Sequence, residues 1–163
     1  MNEKKNLTIE ETFALAVQNH RKNNLKVAQN LYKKILKTNP NYAGVHYNLG
    51  ITYKELGEYQ KAISSYEKAI QIEPNYAIAH NNLGNVLSEL GEHQKAKNFY
   101  QMAVKYEPEN LVYLYHLGRI DEKILHSNLK NKIYEIIEKN NSTKKNIAYG
   151  NFLLSRYELK AKK

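Results

Sequence analysis

Residues 41–74 read NYAGVHYNLGITYKELGEYQKAISSYEKAIQIEP, and residues 75–108, directly after them, read NYAIAHNNLGNVLSELGEHQKAKNFYQMAVKYEP. Laid over one another without a gap, the two stretches are identical at just over half of their positions. The residues that shape the backbone keep the same step along the chain: Pro40, Pro74 and Pro108; Gly50, Gly84 and Gly118; Gly57 and Gly91. Tyrosine repeats with them at Tyr32, Tyr66, Tyr100 and Tyr134, and alanine at Ala28, Ala62 and Ala96. A period running from Pro40 to Pro74 is too long for a hairpin and too short for a domain, but it fits one stacked supersecondary unit.

Inside each unit the apolar spacing is helical. His46, Leu49, Gly50 and Tyr53 fall at i, i+3, i+4 and i+7, and Ala62, Tyr66, Ala69 and Ile70 repeat the pattern. Gly57 and Gly91 stand where one helix should stop, because glycine enters the left-handed conformation cheaply. Each proline should end a second helix, since it lacks an amide donor and disfavours helical geometry in the residue before it. Asn41 and Asn75 are expected to cap the first helix of the next unit, and Thr8 with Glu11 forms a capping box at the first helix of the chain. Gly84 is expected to let the two helices of its unit cross closely, near Ala96 and Ala103.

These positions resemble the tetratricopeptide repeat, whose pattern is W-x2-L-G-x2-Y, then A-x3-F, then A and P. Here it runs His46, Leu49, Gly50, Tyr53, Ala62, Tyr66, Ala69, Pro74, and again His80, Leu83, Gly84, Leu87, Ala96, Tyr100, Ala103, Pro108. The resemblance implies an all-α chain: an α-solenoid of antiparallel helix-turn-helix repeats wound into a right-handed superhelix. Two strong units (43–76 and 77–110) are flanked by divergent ones (9–42 and 111–142). Unit 9–42 keeps Leu15, Ala16, Ala28, Tyr32 and Pro40 but lacks both glycines; unit 111–142 has Lys130 and Ser142 where alanine and proline are expected. Residues 1–8 are expected to be a flexible N-terminal segment, and residues 143–163 a C-terminal capping helix. Within the family, residues 75–91 look most like the superhelix of peptide O-linked N-acetylglucosamine transferases.

The chain of 163 residues has no cysteine and no long apolar run, so no disulfide framework, secretory signal or membrane span is expected, and a soluble cytoplasmic protein is. The net charge of +9 is uneven: +5 over residues 1–41, −2 over 42–129 and +6 over 130–163. The best repeats are thus slightly acidic and only three basic residues are arginine, which argues against a nucleic-acid partner. No cysteine nucleophile, phosphate-binding glycine loop, G-x-S-x-G or H-E-x-x-H is present, and no enzyme activity or cofactor is expected. His46 and His80, one unit apart, read as packing residues rather than metal ligands, since zinc needs three or four converging donors.

The resemblance places unit positions 2, 5, 6, 9, 12 and 13 of each first helix on a concave surface. Among these, Tyr47, Asn48, Asn81, Asn82, Asn85, His116 and Arg119 are the candidate contacts to a peptide. An amide both donates and accepts, so Asn48 and Asn82, one unit apart, can grip a peptide backbone irrespective of its side chains. The family's carboxylate clamp is not matched, because Phe13 and Val17, or Tyr47 and Ile51, occupy its places. The function expected is a protein–protein interaction module that holds a segment of a protein or peptide partner in this groove. Residues 128–163 weakly resemble the stretch joining repeats to a sulfotransferase domain in some bacterial proteins. The alternative is therefore the non-catalytic repeat region of a larger transferase with a fused downstream catalytic domain.

Overall fold

The computed structural model describes residues 7–124, 127–139 and 143–161. Among the described residues the chain forms α-helices and one short 3₁₀ turn, without a strand. In chain order these are α1 (Ile9–Arg21), α2 (Leu25–Thr38), α3 (Ala43–Glu55), α4 (Tyr59–Ile72), α5 (Ala77–Glu89), α6 (His93–Tyr106) and α7 (Leu111–Ile120). The 3₁₀ turn Glu122–Ile124 follows, then α8 (Ser127–Glu138) and α9 (Lys144–Ala161). Consecutive helices pack through the first three units, giving an all-α solenoid. No helix among the described residues is long and apolar enough to cross a membrane.

The turns follow from single residues. Gly57 and Gly91 take φ of 73° and 79°, and the amide after each closes the helix end by reaching back to Tyr53 O and Leu87 O, both at 2.8 Å. Asn23 occupies the same place in the first unit at φ 63°, and Asn24 N–H reaches Asn19 O at 2.9 Å. Asparagine is the residue that best tolerates this conformation after glycine, so the unit lacking the glycine keeps the same turn. Thr8 and Glu11 form the capping box of α1. Asn41 and Asn75 do not cap: the N-cap residues are Tyr42 and Tyr76, without a side-chain bond. In the next unit asparagine falls on the cap of the first helix itself, where Asn110 Oδ1 accepts from Val112 N–H at 3.2 Å.

The small residues set the helix crossings. An ideal Cβ on Gly84 would lie 2.6 Å from Tyr100 Cε1, and one on Gly50 would lie 2.7 Å from Tyr66 Cδ1. The nearest neighbour of Gly84 is thus the Tyr100 ring, on the same helix α6 as the fully buried Ala96 and Ala103. Each glycine makes the slot that its own unit's tyrosine fills, and Tyr32, Tyr66 and Tyr100 all lie in one core with Ala16, Leu49 and Leu83. His46 and His80 tie successive units together: each donates Nε2–H to the carbonyl of the preceding proline, Pro40 at 2.8 Å and Pro74 at 2.9 Å.

The fourth unit departs from the pattern. Its first helix, α7, packs chiefly on α9 rather than on α8. Lys130 stands at the alanine place of α8, too bulky for a close crossing, and its ammonium lies over the Tyr134 and Tyr157 rings at 6.0 and 5.3 Å. A separate core forms instead from Leu111 and Leu114 of α7, Leu129, Ile133 and Ile136 of α8, and Leu153 and Leu154 of α9. The Asn146 side chain fixes α9 in place, accepting from Leu111 N–H at 2.9 Å and donating to Glu109 O at 3.3 Å.

Candidate functional site

The first helices α3, α5 and α7 stand side by side, and α9 continues the series in register, one repeat after α7. Tyr115 of α7 meets Tyr149 of α9, one full repeat step later, at 4.7 Å between ring centroids. Two clefts open along this series. One, of about 410 Å³, lies between α5, the start of α7 and the start of α9, with Ile78, Asn81, Asn82, Tyr113, Lys145 and Asn146 on its walls. The other, of about 280 Å³, is lined by Ser88, His93, Tyr100, His116, Arg119 and Ile120.

The asparagines expected to act alike do not share one environment. Asn48 Nδ2 folds back onto the Gly44 carbonyl of its own helix at 2.7 Å, a local bond that occupies its donor. Asn82 instead donates to the Tyr47 hydroxyl at 3.2 Å and joins α5 to α3. The Tyr47 ring rests against Tyr76 at 5.2 Å, and burial, helped by Tyr76, pushes its pKa up to about 12, so it stays a neutral hydroxyl. Asn85 Oδ1 accepts from the Tyr100 hydroxyl at 2.9 Å and so steadies the tyrosine that fills the Gly84 slot. Asn81 is different from all of these. It is 5% exposed and lines the larger cleft; its Nδ2 reaches Asn82 Oδ1 at 3.4 Å, and its own Oδ1 is buried without a hydrogen-bond donor among the described residues.

His116 and Arg119 come together in the smaller cleft. The His116 ring stacks on Tyr100 at 5.5 Å and 19°, with Tyr115 edge-on at 5.3 Å. Burial, with the charges of Arg119, Lys145 and Lys54 behind it, lowers the imidazole pKa to about 4, so the ring is neutral at pH 7. Arg119 is exposed and sits 5.8 Å from the Tyr115 centroid; among the described residues it forms no ion pair. The seven candidates therefore divide: Asn81 and Asn82 line one cleft, His116 and Arg119 the other, while Tyr47, Asn48 and Asn85 chiefly hold the scaffold.

Sequence reasoning missed two contributors. Lys145 and Asn146 close one end of the larger cleft, although they belong to the last helix. The repeat step carries the signal, since Lys145 stands one full period after Leu111. A ladder of side-chain contacts between neighbouring units also escaped notice. His20 Nε2 lies 2.7 Å from Glu55, Lys54 pairs with Glu89 at 2.6 Å, and Glu122 of the 3₁₀ turn pairs with Arg156 of α9 at 2.7 Å. Among the described residues no group of three or more His, Asp or Glu side chains converges to hold a metal.

The comparisons with known proteins agree with this geometry. Models described as tetratricopeptide repeats match residues 31–64 and 77–110, and one described as TPR repeat matches 52–91. The crystal structure of MamA superposes with a TM-score of 0.69 at 24% identity, covering 96% of this chain and 82% of that one. The first TPR of Spaghetti (RPAP3), bound to the HSP90 peptide SRMEEVD, gives 0.67 at 19% identity, covering 72% of this chain and 94% of that one. No curated protein sequence matches the chain. With family models, packing and superposition in agreement, residues 31–110 of the chain are tetratricopeptide repeats.

Proposed function

We propose that this chain is a non-catalytic interaction module that binds an extended peptide segment of a partner protein along the face shared by α3, α5, α7 and α9. The observation that carries this reading is the Asn81 carbonyl. A buried acceptor without a donor costs about 1–3 kcal/mol, and native structures rarely leave one without a reason. This one belongs to a residue that lines a cleft open to a ligand. With the Asn81 amide turned towards the cleft, a peptide N–H there supplies the missing donor, and Asn82, Lys145 and Asn146 offer further polar partners around it. The RPAP3 domain, which shares the fold, presents it to a peptide, and this supports the same use here.

Asn81→Leu tests the reading because it separates binding from folding. The leucine removes an unsatisfied acceptor, so the melting temperature should stay level or rise, while peptide affinity should fall about fivefold or more from the lost hydrogen bond. Short random peptides displayed on phage and selected on the parent protein provide the ligand, and fluorescence anisotropy gives both affinities. Recovery of no binder, or of binders that hold the variant as tightly as the parent, would overturn the assignment.

A further inference from the structure

The ladder of side-chain contacts between neighbouring units has a gap. Its first two rungs, His20 to Glu55 and Lys54 to Glu89, have the same spacing in sequence. The next rung of that spacing would set Ser88 at the cation's place and Lys123 at the acid's, and among the described residues no ion pair joins them. A rung reappears beyond it, Glu122 to Arg156 at 2.7 Å, made this time from a pair one position closer in sequence. Ser88 lies on the wall of the smaller cleft, beside His93, His116 and Arg119. That wall carries two imidazoles, a guanidinium and two hydroxyls, and no acid.

We propose that this cleft takes the carboxylate of an aspartate or glutamate side chain of the bound peptide, the ligand supplying an acid to a wall that has none. The inference rests on the peptide-binding reading above and adds the chemistry of one residue in the ligand. Arg119 leads the recognition: it is exposed, has no acidic partner among the described residues, and its planar fork matches a carboxylate in two parallel hydrogen bonds. Ser88 contributes a hydroxyl donor, and His93 and His116 contribute ring N–H groups. The charges that bear on His116 are cationic from three directions: Arg119 on its own helix, Lys54 on α3 and Lys145 on α9. Lys54 is already matched by Glu89, while Lys145, like Arg119, has no ion pair among the described residues. The remaining neighbours of the ring, Tyr100, Tyr115 and Tyr149, are uncharged phenols. A cleft of about 280 Å³ with this lining fits an acidic side chain, not a helix. The contact also has a signature. An anion beside His116 opposes the burial and cationic charge that hold the ring neutral, so binding must raise the His116 pKa.

Two degenerate peptide pools test the proposal, identical except for a central Glu in one and Gln in the other. Titrated against the parent protein at matched ionic strength, the Glu pool should bind about tenfold more tightly. Arg119→Gln should bring the ratio of Glu-pool to Gln-pool affinity towards one while leaving the melting temperature unchanged. In proton NMR the Glu pool, and not the Gln pool, should move the His116 titration to higher pH. Equal binding of the two pools to the parent would overturn the acidic-residue assignment while leaving peptide binding intact. Absence of binding by either pool would sink both readings together. Inorganic phosphate or acetate alone shifting His116 as strongly as the Glu pool would mark a free-anion site and overturn the peptide source.

Discussion

Tyr100 and Tyr134 occupy the same place in successive units, yet Tyr100 is 3% exposed and Tyr134 is 41% exposed. Around Tyr100, Gly84 on the facing helix leaves a ring-sized slot, and Ala96 one turn earlier lets α6 lie close to α5. Around Tyr134, Lys130 replaces that alanine and the helix pair α7–α8 does not close. The apolar surface of α7 is buried all the same, because α9 supplies Leu153 and Leu154. A repeat residue therefore has no fixed worth. Its contribution depends on the small residue opposite that gives it somewhere to go.

The sharpest way to break this comparison is to truncate both tyrosines. Tyr100→Ala should cost about 3–5 kcal/mol, as expected for a large aromatic removed from a packed core. Tyr134→Ala should stay within about 0.5 kcal/mol, as expected for a surface position. Urea denaturation measures both, and similar losses would show that the fourth unit packs like the central ones.

The slot itself comes next. Gly84→Leu drives a side chain into the Tyr100 ring, where even a Cβ would lie at 2.6 Å, and overpacking of this kind costs about 1–3 kcal/mol. An unchanged melting temperature would mean that α5 and α6 can separate without loss, against the close crossing described here. A comparable effect is expected where the last helix is pinned. Asn146→Ala strips the acceptor from Leu111 N–H, whose residue is fully buried, and should cost about 1–3 kcal/mol. Hydrogen exchange should speed up at the Leu111 amide and through α9, while α3–α6 keep their protection. Acceleration spread evenly over all helices would show one cooperative unit rather than a separable end.

How much of this could be read from the residues depends on whether they act inside a unit or between units. Glycine at the turns, glycine opposite tyrosine, and alanine at the crossing are each local demands of one helix pair. They recur in both central units, and the all-α solenoid follows from them. Asn23 shows the limit of reading letters alone: the unit without a turn glycine makes the same left-handed turn with another residue. The switch from α7–α8 to α7–α9 packing was less accessible, because it is a competition between two apolar helices for one surface. Lys130 signals that α8 is handicapped, but nothing local says that α9 wins. The candidate site was the least legible part. Asn48 and Asn82 share a repeat position, and only side-chain geometry separates an amide folded onto its own helix from one that bridges to the next.

His116 gives the smallest expected effect and the most specific one. It lies where the regular stack meets the C-terminal end, touching Tyr100 of α6 and Tyr149 of α9. Burial, with Arg119, Lys145 and Lys54 nearby, lowers its folded pKa to about 4, whereas an unfolded histidine titrates near 6.5. The unfolded chain therefore binds more protons than the folded one between these values. Stability from the neutral ring is complete above pH 6.5 and is lost as pH falls towards 4. Because the ring is only partly shielded from solvent, the change should be on the order of 1 kcal/mol rather than the full unscreened shift. Comparing the parent with His116→Asn isolates this contribution from the carboxylates, which both proteins share. The stability difference between parent and variant should narrow or reverse from pH 7 to pH 4.5. A difference constant with pH would mean that the ring titrates alike in the folded and unfolded chain and that its pocket is not the cationic, buried site described here.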